Sequence, residues 1–175
     1  MKSTIKFEPL VPLLYDDYIK IGTTAYNQHY RHLWPNGDTS TYIENSFTKE
    51  VLLKEEKDEN TALYLLKMKD DYVGILKITL DMAIAKLNKS EALYLDKIYI
   101  QKEFTGLGIG RETLKFIETK AIELSKKAIF LGAMQNGLAL TFYLANNFSI
   151  IDTSKVPFEN VIEEEKPMYI LLKEI

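Results

Sequence analysis

The chain has 175 residues and a formal net charge of −3, and 46% of its residues are hydrophobic while 27% are charged. This balance is typical of a folded globular chain and excludes a largely disordered one. The small negative charge provides no overall attraction to nucleic acid or to an anionic membrane. The sequence contains no cysteine, which excludes disulfides, thiolate metal clusters and cysteine nucleophiles.

The length predicts one domain that spans residues 1–175, because a chain of this size fills one core and is short for two. The segment from Met1 to Pro9 carries no apolar signal core, and no apolar run is long enough to span a bilayer. We therefore expect a cytoplasmic protein that has neither a membrane nor a nucleic acid as a partner.

The predicted elements follow from the spacing of hydrophobic residues and from the turn residues between them. In the first half they are a strand at 5–7, two or more helices between 13 and 56 with a break at 34–38, and a hairpin of strands at 61–68 and 72–80. In the second half they are a long turn at 83–90, a strand at 92–100, a helix at 108–126, a strand at 128–134, a short helix at 138–146, and strands at 149–153 and 168–173. Asp38 or Thr39 is expected to cap the helix that runs through Phe47, and Asn147 to end the short helix in the left-handed conformation. The order predicts a mixed α/β sheet.

The most distinctive local pattern is the run Phe104-Thr105-Gly106-Leu107-Gly108-Ile109-Gly110-Arg111, between a predicted strand and a predicted helix. Glycines at alternate positions leave the backbone free of Cβ atoms, so several amide groups can point outward at the positive end of the helix dipole. Such a loop suits a pyrophosphate. Its spacing differs from the dinucleotide fingerprint, and it lacks the Lys-Ser/Thr pair of a P-loop. A tight turn that binds no ligand is the alternative.

Residues 95–110 resemble the central motif of the GNAT superfamily, the acyl-CoA-dependent N-acetyltransferases. That motif is Arg or Gln, two free positions, Gly, one free position, then Gly or Ala. Thr105, Gly108 and Gly110 stand at its defined positions in this chain.

The run Asn136-Gly137-Leu138-Ala139-Leu140-Thr141-Phe142-Tyr143, followed by Asn147-Phe148, is similar to the second cofactor motif of the same family, Asn-x-x-Ala-x-x-x-Tyr before Gly-Phe. Asn147 replaces the usual glycine, and Asn accepts positive φ better than most residues. The detailed match extends from Ala92 to Asp152, which is about a third of the chain.

The resemblance implies an α/β fold with a mixed, mostly antiparallel twisted sheet flanked by helices, and with splayed central strands. Acetyl-CoA is then the implied co-substrate, with pantetheine between the splayed strands and the pyrophosphate on the glycine loop. Thr105 predicts a weaker phosphate contact than Arg or Gln, and Arg111 or Lys102 are candidates for the missing charge. The implied cofactor-binding residues are Ile98, Ile100, Thr105, Gly106, Gly108, Gly110, Arg111, Asn136 and Tyr143.

Tyr143 stands where the family places a catalytic tyrosine. A phenol beside the sulfur can donate a proton as thiolate charge develops. Asn136 lies seven residues earlier, so the two share a helix face if the helix extends that far. The alternative for Tyr143 is a packed aromatic ring.

The general base is less defined. Asp96 has the same strand parity as Ile98 and Ile100, which predicts that it faces the same crevice. Glu91, Glu44 and a chain of water molecules are alternatives, and a solvated or ion-paired acid is the simpler interpretation of each carboxylate.

A cluster of His29, Tyr30, His32 and Trp34 lies in the region where the family builds its acceptor pocket. A helix surface with an aromatic anchor is the favoured interpretation of this cluster. Two histidines three residues apart suggest no metal site, because no third ligand is nearby. If a pocket forms there, its aromatic rings and acids suit a cationic amine.

The predicted function is therefore transfer of an acetyl group from acetyl-CoA to a primary amine of a small molecule. Direct attack in a ternary complex is expected, since no cysteine exists to carry an acyl group. Polyamines are the narrower expectation, because residues 93–100 and 129–143 look like bacterial polyamine-acetylating members. A peptide or protein N-acetyltransferase and a non-catalytic CoA-binding module remain as alternatives. A homodimer is a family expectation.

Overall fold

The computed structural model describes residues 4–175; residues 1–3, which begin the segment predicted to lack a signal core, lie outside the described residues. Within residues 4–175 the α-helices are α1 (Tyr15–Tyr30), α2 (Ser40–Ser46), α3 (Lys49–Lys57), α4 (Ile109–Glu123) and α5 (Leu138–Ala145). The strands of the same region are β1 (Ile5–Pro9), β2 (Thr61–Met68), β3 (Asp71–Thr79), β4 (Ala92–Ile100), β5 (Ala128–Met134), β6 (Ser149–Lys155) and β7 (Pro167–Glu174).

The strands form one sheet in the order β1-β2-β3-β4-β5-β7-β6. The pair β4–β5 is parallel and the other neighbouring pairs are antiparallel, which confirms the mixed, mostly antiparallel sheet. Helices α1, α2 and α3 pack on one face, here called the α1–α3 face. Helices α4 and α5 pack on the other, here called the α4–α5 face. The α/β class predicted from the sequence is therefore confirmed.

Hydrophobic spacing explains why these segments adopt these elements. Leu114, Ile117 and Ala121 recur at three- and four-residue intervals along α4, and all three are buried against the sheet. Residues 128–131 of β5 are buried without alternation, as expected of a central strand covered by helices on both faces. The predicted hairpin of β2 and β3 is present.

The helix predicted to run through Phe47 ends before that residue. The region 40–57 contains two helices, because Thr48 starts a new one and its Oγ1 accepts a hydrogen bond from the Val51 amide at 3.2 Å. Before α2, Asp38 Oδ1 accepts a hydrogen bond from the Ser40 amide at 3.0 Å, whereas Thr39, the N-cap residue of α2, makes no side-chain capping hydrogen bond. Asn147 has φ 69°, which confirms its left-handed conformation.

The central strands separate after a short paired stretch. Ala92, Leu93 and Tyr94 of β4 pair with Ala128, Ile129 and Phe130 of β5, and the pairing stops there. Strand β5 then stays with β7, and β4 stays with β3, along the rest of their lengths. The predicted splay is confirmed, and it opens a gap between β4 and β5. Across residues 4–175, no helix combines the length and the apolar character that a bilayer crossing requires.

Candidate active site

The gap exposes backbone groups of β4 that have no strand partner. The Gln101 amide donates a hydrogen bond to the Val73 carbonyl of β3 at 2.9 Å. Because backbone groups alternate in direction along a strand, those of Ile98 and Ile100 point away from β3 and toward the gap. The backbone of both residues thus faces the gap, and its pairing with pantetheine stays a prediction.

Part of this backbone surface already has a partner. His29 Nε2 on α1 lies 2.8 Å from the Ile100 carbonyl oxygen, in hydrogen-bonding range. The backbone carbonyl of Ile98 and the backbone amides of Ile98 and Ile100 are still able to form hydrogen bonds with a ligand. Sequence reasoning missed this contact because it joins two elements 71 residues apart.

The glycine loop at the start of α4 has the conformation of an anion cradle. Gly106 has φ 78° and Gly108 has φ 84°, values that residues other than glycine rarely adopt. A Cβ at either position would meet no atom within 4 Å, so this face of the loop is open. Within the described chain, no acceptor takes a hydrogen bond from the backbone amides of residues 106–111. These unpaired amides fit the diphosphate of a coenzyme.

Gly110, the third glycine of the run and a residue of the first turn of α4, allows close packing against α5. A Cβ at Gly110 would lie 3.0 Å from Cζ of Phe142, which belongs to α5. The absence of a side chain therefore lets α5 approach the first turn of α4. The loop and the helix that carries Tyr143 are thus in direct contact.

Three polar side chains lie near the loop, those of Thr105, Lys102 and Arg111. The Thr105 hydroxyl donates to the Lys102 carbonyl at 2.7 Å, and the Thr105 amide donates to the same oxygen at 3.2 Å. Arg111 and Lys102 are exposed, and neither side chain forms an ion pair with any residue from 4 to 175. Both cations are therefore exposed to solvent, and their contact with a diphosphate stays a prediction.

Tyr143 is a packed ring with a free hydroxyl. Its side chain is 9% exposed, and its ring lies 5.2 Å from Phe142 and 5.6 Å from Phe148, between centroids. No hydrogen bond of the hydroxyl to the described residues is present. Burial raises the pKa of Tyr143, and the Tyr30 phenol adds to that increase. The hydroxyl therefore stays protonated at neutral pH, as a proton donor must.

Asn136 does not share a helix face with Tyr143, because α5 begins at Leu138 and Gly137 precedes it in an extended conformation. The exposed Asn136 side chain instead donates to the Glu164 carbonyl at 3.5 Å. The condition on which the predicted pairing depended is not met.

The parity argument for Asp96 is wrong, because strand β4 contains a bulge at this residue. Ile78 pairs with Leu95 and Lys77 pairs with Lys97, which leaves Asp96 as the extra residue. Leu95 therefore points to the α4–α5 face, whereas Asp96 and Lys97 both point to the α1–α3 face. A sequence without a glycine or other bulge signal at this point gave no warning of the shift.

Asp96 belongs to a partly buried ion network. Lys77 Nζ lies 3.0 Å from Asp96 and 2.6 Å from Glu55 of α3. Burial alone would lower the pKa of Lys77, but the two carboxylates outweigh it and raise that pKa. Asp96 is therefore an ion-paired acid on the α1–α3 face of the sheet.

The alternative bases lie elsewhere. Glu91 precedes the paired stretch of β4 and β5, at the closed end of the gap, and accepts a hydrogen bond from Lys127 Nζ at 2.5 Å. This contact lowers the pKa of Glu91. Glu44 is exposed on α2. Glu91 is thus an ion-paired acid and Glu44 a solvated one.

The aromatic cluster near the gap is a packed core. Trp34 is 2% exposed and its Nε1 donates to the Tyr26 hydroxyl at 2.9 Å. The rings of Tyr26 and Tyr42 stack with centroids 3.8 Å apart, and the hydroxyls of Tyr42 and Tyr99 lie 2.5 Å from each other. His29 bonds β4 whereas His32 is exposed, so the two histidines have separate environments. The prediction of an aromatic anchor is confirmed.

The segment between β6 and β7 covers this cluster. The Ile162 amide donates to the Leu33 carbonyl at 2.9 Å, and Val161 is buried. The ring of Phe158 lies 5.6 Å from Trp34 and 5.9 Å from Tyr42, between centroids. Residues 156–166 therefore cover the α1–α3 side of the gap, a role that the sequence did not reveal.

Comparison with known proteins agrees with this geometry. The family model described as the acetyltransferase (GNAT) family matches residues 19–148. A relative from Lactobacillus delbrueckii subsp. lactis, named an uncharacterized N-acetyltransferase in the pepI 3' region, is 27% identical over 113 residues. That match covers 64% of this chain and spans 65% of the length of the relative.

Two solved structures show the same fold. PaiA N-acetyltransferase from Thermoplasma acidophilum, in complex with coenzyme A, is 18% identical with a TM-score of 0.77, over 98% of this chain and 99% of its own. A GNAT family acetyltransferase from Elizabethkingia anophelis with acetyl-CoA bound is 18% identical with a TM-score of 0.61, over 98% of each chain. With its glycine cradle, its splayed strands and a family match over most of its length, the chain belongs to the acetyltransferase (GNAT) family.

Proposed function

We propose that this protein transfers the acetyl group of acetyl-CoA to the primary amine of a small molecule, by direct attack in a ternary complex. The observation that carries this proposal is the gap between β4 and β5, with unpaired backbone groups along one wall and the open amide cradle at its end. The neighbour from Thermoplasma acidophilum is a complex with coenzyme A, which supports the same ligand for this chain.

The residues of the gap fit the chemical parts of that ligand. Unpaired amides of residues 106–111 and the cations Arg111 and Lys102 suit a diphosphate. The backbone groups of Ile98 and Ile100 suit the amides of pantetheine, apart from the carbonyl that His29 occupies. The bound co-substrate supplies the acetyl group as a thioester.

Two side chains have proposed roles in proton transfer. Tyr143 donates its hydroxyl proton to the departing sulfur, so the leaving group departs as a neutral thiol. Asp96, or a water molecule beside it, accepts the proton that the amine nitrogen loses as the new C–N bond forms. Solvent then returns a proton to Tyr143. Placing the two reactants in the gap supplies the main part of the rate enhancement.

The acceptor side favours a small molecule over a peptide. Residues 156–166 cover this side and pack on Trp34 and Tyr42, which narrows the approach to the gap. Polyamines stay the narrower prediction from the sequence alone. The exposed Glu159 and Glu164 of the covering segment support attraction of a cationic amine, whereas Glu163 is paired with Lys166. The homodimer and the cytoplasmic location stay predictions.

The proposal is tested by following release of free CoA from acetyl-CoA with purified protein. The acceptor arms are a panel of small primary amines that includes spermidine, a set of peptides with free amino termini, and no acceptor. We expect turnover with small amines above the rate without acceptor. Turnover confined to peptides would support the peptide transferase. Tight acetyl-CoA binding without turnover in any arm would support the non-catalytic module.

A further inference from the structure

Lys97 is a buried lysine without a polar partner. Its residue is 8% exposed, and its Nζ makes neither an ion pair nor a hydrogen bond within residues 4–175. The Nζ atom instead lies 5.5 Å from the ring centroids of both Tyr42 and Phe47. Its stem is buried while the Nζ atom still reaches solvent, since it is not one of the fully enclosed polar atoms without a partner among the described residues. The three donor groups of the ammonium are therefore open to a ligand.

Other lysines with little exposure are paired, so Lys97 differs from them. Lys77 binds Glu55 and Asp96, and Lys126 donates to Asp81 and to the Ser90 carbonyl. The general rule that buried charges have partners therefore holds at these sites. At Lys97 the partner is missing from the described chain, which points to a ligand.

The bulge brings Lys97 beside an acid. Asp96 and Lys97 are consecutive, yet both side chains lie on the α1–α3 face because Asp96 is the extra residue of the strand. Both lie in the part of β4 that has separated from β5. One carboxylate and one ammonium thus lie on the same face of the separated part of β4.

The ion pairs leave Asp96 able to take a further hydrogen bond. Lys77 is shared between Asp96 and Glu55, so one cation serves two carboxylates. A carboxylate has about four lone-pair sites, and the contact with Lys77 uses only part of them. Asp96 can therefore accept a hydrogen bond from an amine while it stays paired with Lys77.

We infer that Asp96 and Lys97 form a subsite for a primary amine that also carries a carboxylate, such as an amino acid. Lys97 binds the carboxylate, and Asp96 takes the amine. The inference rests on the proposed acetyl transfer and narrows its substrate class. It favours an amino acid over a polyamine, because the Tyr42 and Phe47 rings already face the Lys97 ammonium and offer no cage to a second cation.

The experiment compares acceptors that differ only in the carboxylate. Amino acids and their carboxamides are assayed as matched pairs, with spermidine as a third arm, and kcat/KM is corrected for the unprotonated fraction of each amine. In the unmodified protein we expect the corrected kcat/KM of each amino acid to exceed that of its carboxamide about tenfold or more. This is the range expected for a hydrogen bond between charged groups. Equal values within each pair, or a preference for spermidine, would overturn the inference.

Variants test whether Lys97 causes the preference for acceptors that carry a carboxylate. Lys97→Met is expected to remove the tenfold preference, and Lys97→Arg to retain most of it. Lys67→Met is the matched control, because Lys67 also lies over a tyrosine ring, 5.3 Å from the Tyr72 centroid, but on the β2 strand away from the gap. A preference that survives Lys97→Met contradicts the assignment.

A second measurement keeps this test independent of turnover. Calorimetric titration of an amino acid into the CoA-saturated protein measures the subsite even if no acetyl transfer occurs. Binding that Lys97→Met abolishes supports the subsite, while absent turnover in every arm would then count against the proposed function alone. If neither the unmodified protein nor Lys97→Arg binds the amino acid, the subsite does not exist.

Discussion

Gly110 and Phe142 connect the cofactor loop to the helix that carries the proposed proton donor. A Cβ at Gly110 would lie 3.0 Å from Cζ and 3.4 Å from Cε2 of Phe142. Tyr143 is the next residue along α5 and contacts the Phe142 ring edge-on. The position of the Tyr143 hydroxyl therefore depends on a glycine in the loop.

Gly110→Ala is expected to impair catalysis more than stability. Alanine favours the helix by up to about 1 kcal/mol, while the contact with Phe142 costs a similar amount, so the free energy of unfolding stays within about 1 kcal/mol of the original. Displacement of α5 should lower kcat about tenfold. Urea unfolding and CoA-release kinetics measure the two effects. Adding Phe142→Leu should recover kcat, and an unchanged kcat in the single variant would show that the contact is unimportant.

Tyr143→Phe is expected to retain acetyl-CoA affinity and lower kcat about 100-fold, which is the lower end of general acid catalysis. The ring packing survives and only the hydroxyl is lost. Calorimetry gives the affinity and CoA release gives the rate. Tyr64→Phe is the control, since Tyr64 is 8% exposed on the same face of the sheet. A rate equal to that of this control would remove Tyr143 from the mechanism.

Gly108→Val is expected to abolish acetyl-CoA binding in a protein that still folds. The φ of 84° strains a β-branched residue by about 1–3 kcal/mol, and the valine side chain covers the open face of the cradle. Calorimetry with acetyl-CoA and thermal denaturation check both parts. Normal binding by a folded variant would refute the cradle.

Thr105→Arg is expected to tighten acetyl-CoA binding about tenfold at low salt, or about 1.4 kcal/mol, because a cation is added beside the diphosphate. Thr105 is exposed, so an arginine is accommodated without repacking. The gain should shrink as ionic strength rises, since exposed charges are screened. Thr105→Met controls for side-chain size. An equal Kd for the arginine and methionine variants would place the diphosphate elsewhere.

Lys77→Met is expected to destabilise the fold by about 3 kcal/mol, because Glu55 and Asp96 lose their shared cation. The folded pKa of Lys77 is raised above its ordinary value, so its stabilisation is fully present below about pH 10 and is lost as the pH rises through the folded pKa. Urea unfolding from pH 8 to 11.5 measures this. The difference between Lys77→Met and the original should shrink at the alkaline end, and a constant difference would contradict the charge-based account.

Local sequence patterns were sufficient to predict most helices and strands and the open glycine loop. The recurrence of Leu114, Ile117 and Ala121 predicted α4, and the alternate glycines predicted an open loop before it. Both signals arise from neighbouring residues, whose side-chain spacing and φ preferences act within a few positions of the chain. The predicted roles of Tyr143 and of the cofactor-binding residues remain predictions.

Side-chain direction across the sheet was not predictable in the same way. Strand parity assigned Asp96 to the face of Ile98, and one extra residue in β4 reversed this assignment. A bulge depends on the register with the neighbouring strand, which a single sequence does not display. Asn136 is similar, because the extended backbone of Gly137 keeps it outside α5, and the spacing of seven residues did not reveal this.

The sequence by itself determined the order of strands and helices, the open glycine loop and the family to which the loop belongs, because these depend on local spacing and backbone freedom. The tertiary structure decided which face Asp96 and Lys97 share, which carbonyl His29 occupies and how residues 156–166 cover the gap. Those features join elements distant in the chain, and their geometry follows from strand register and packing, which exist only in the folded state.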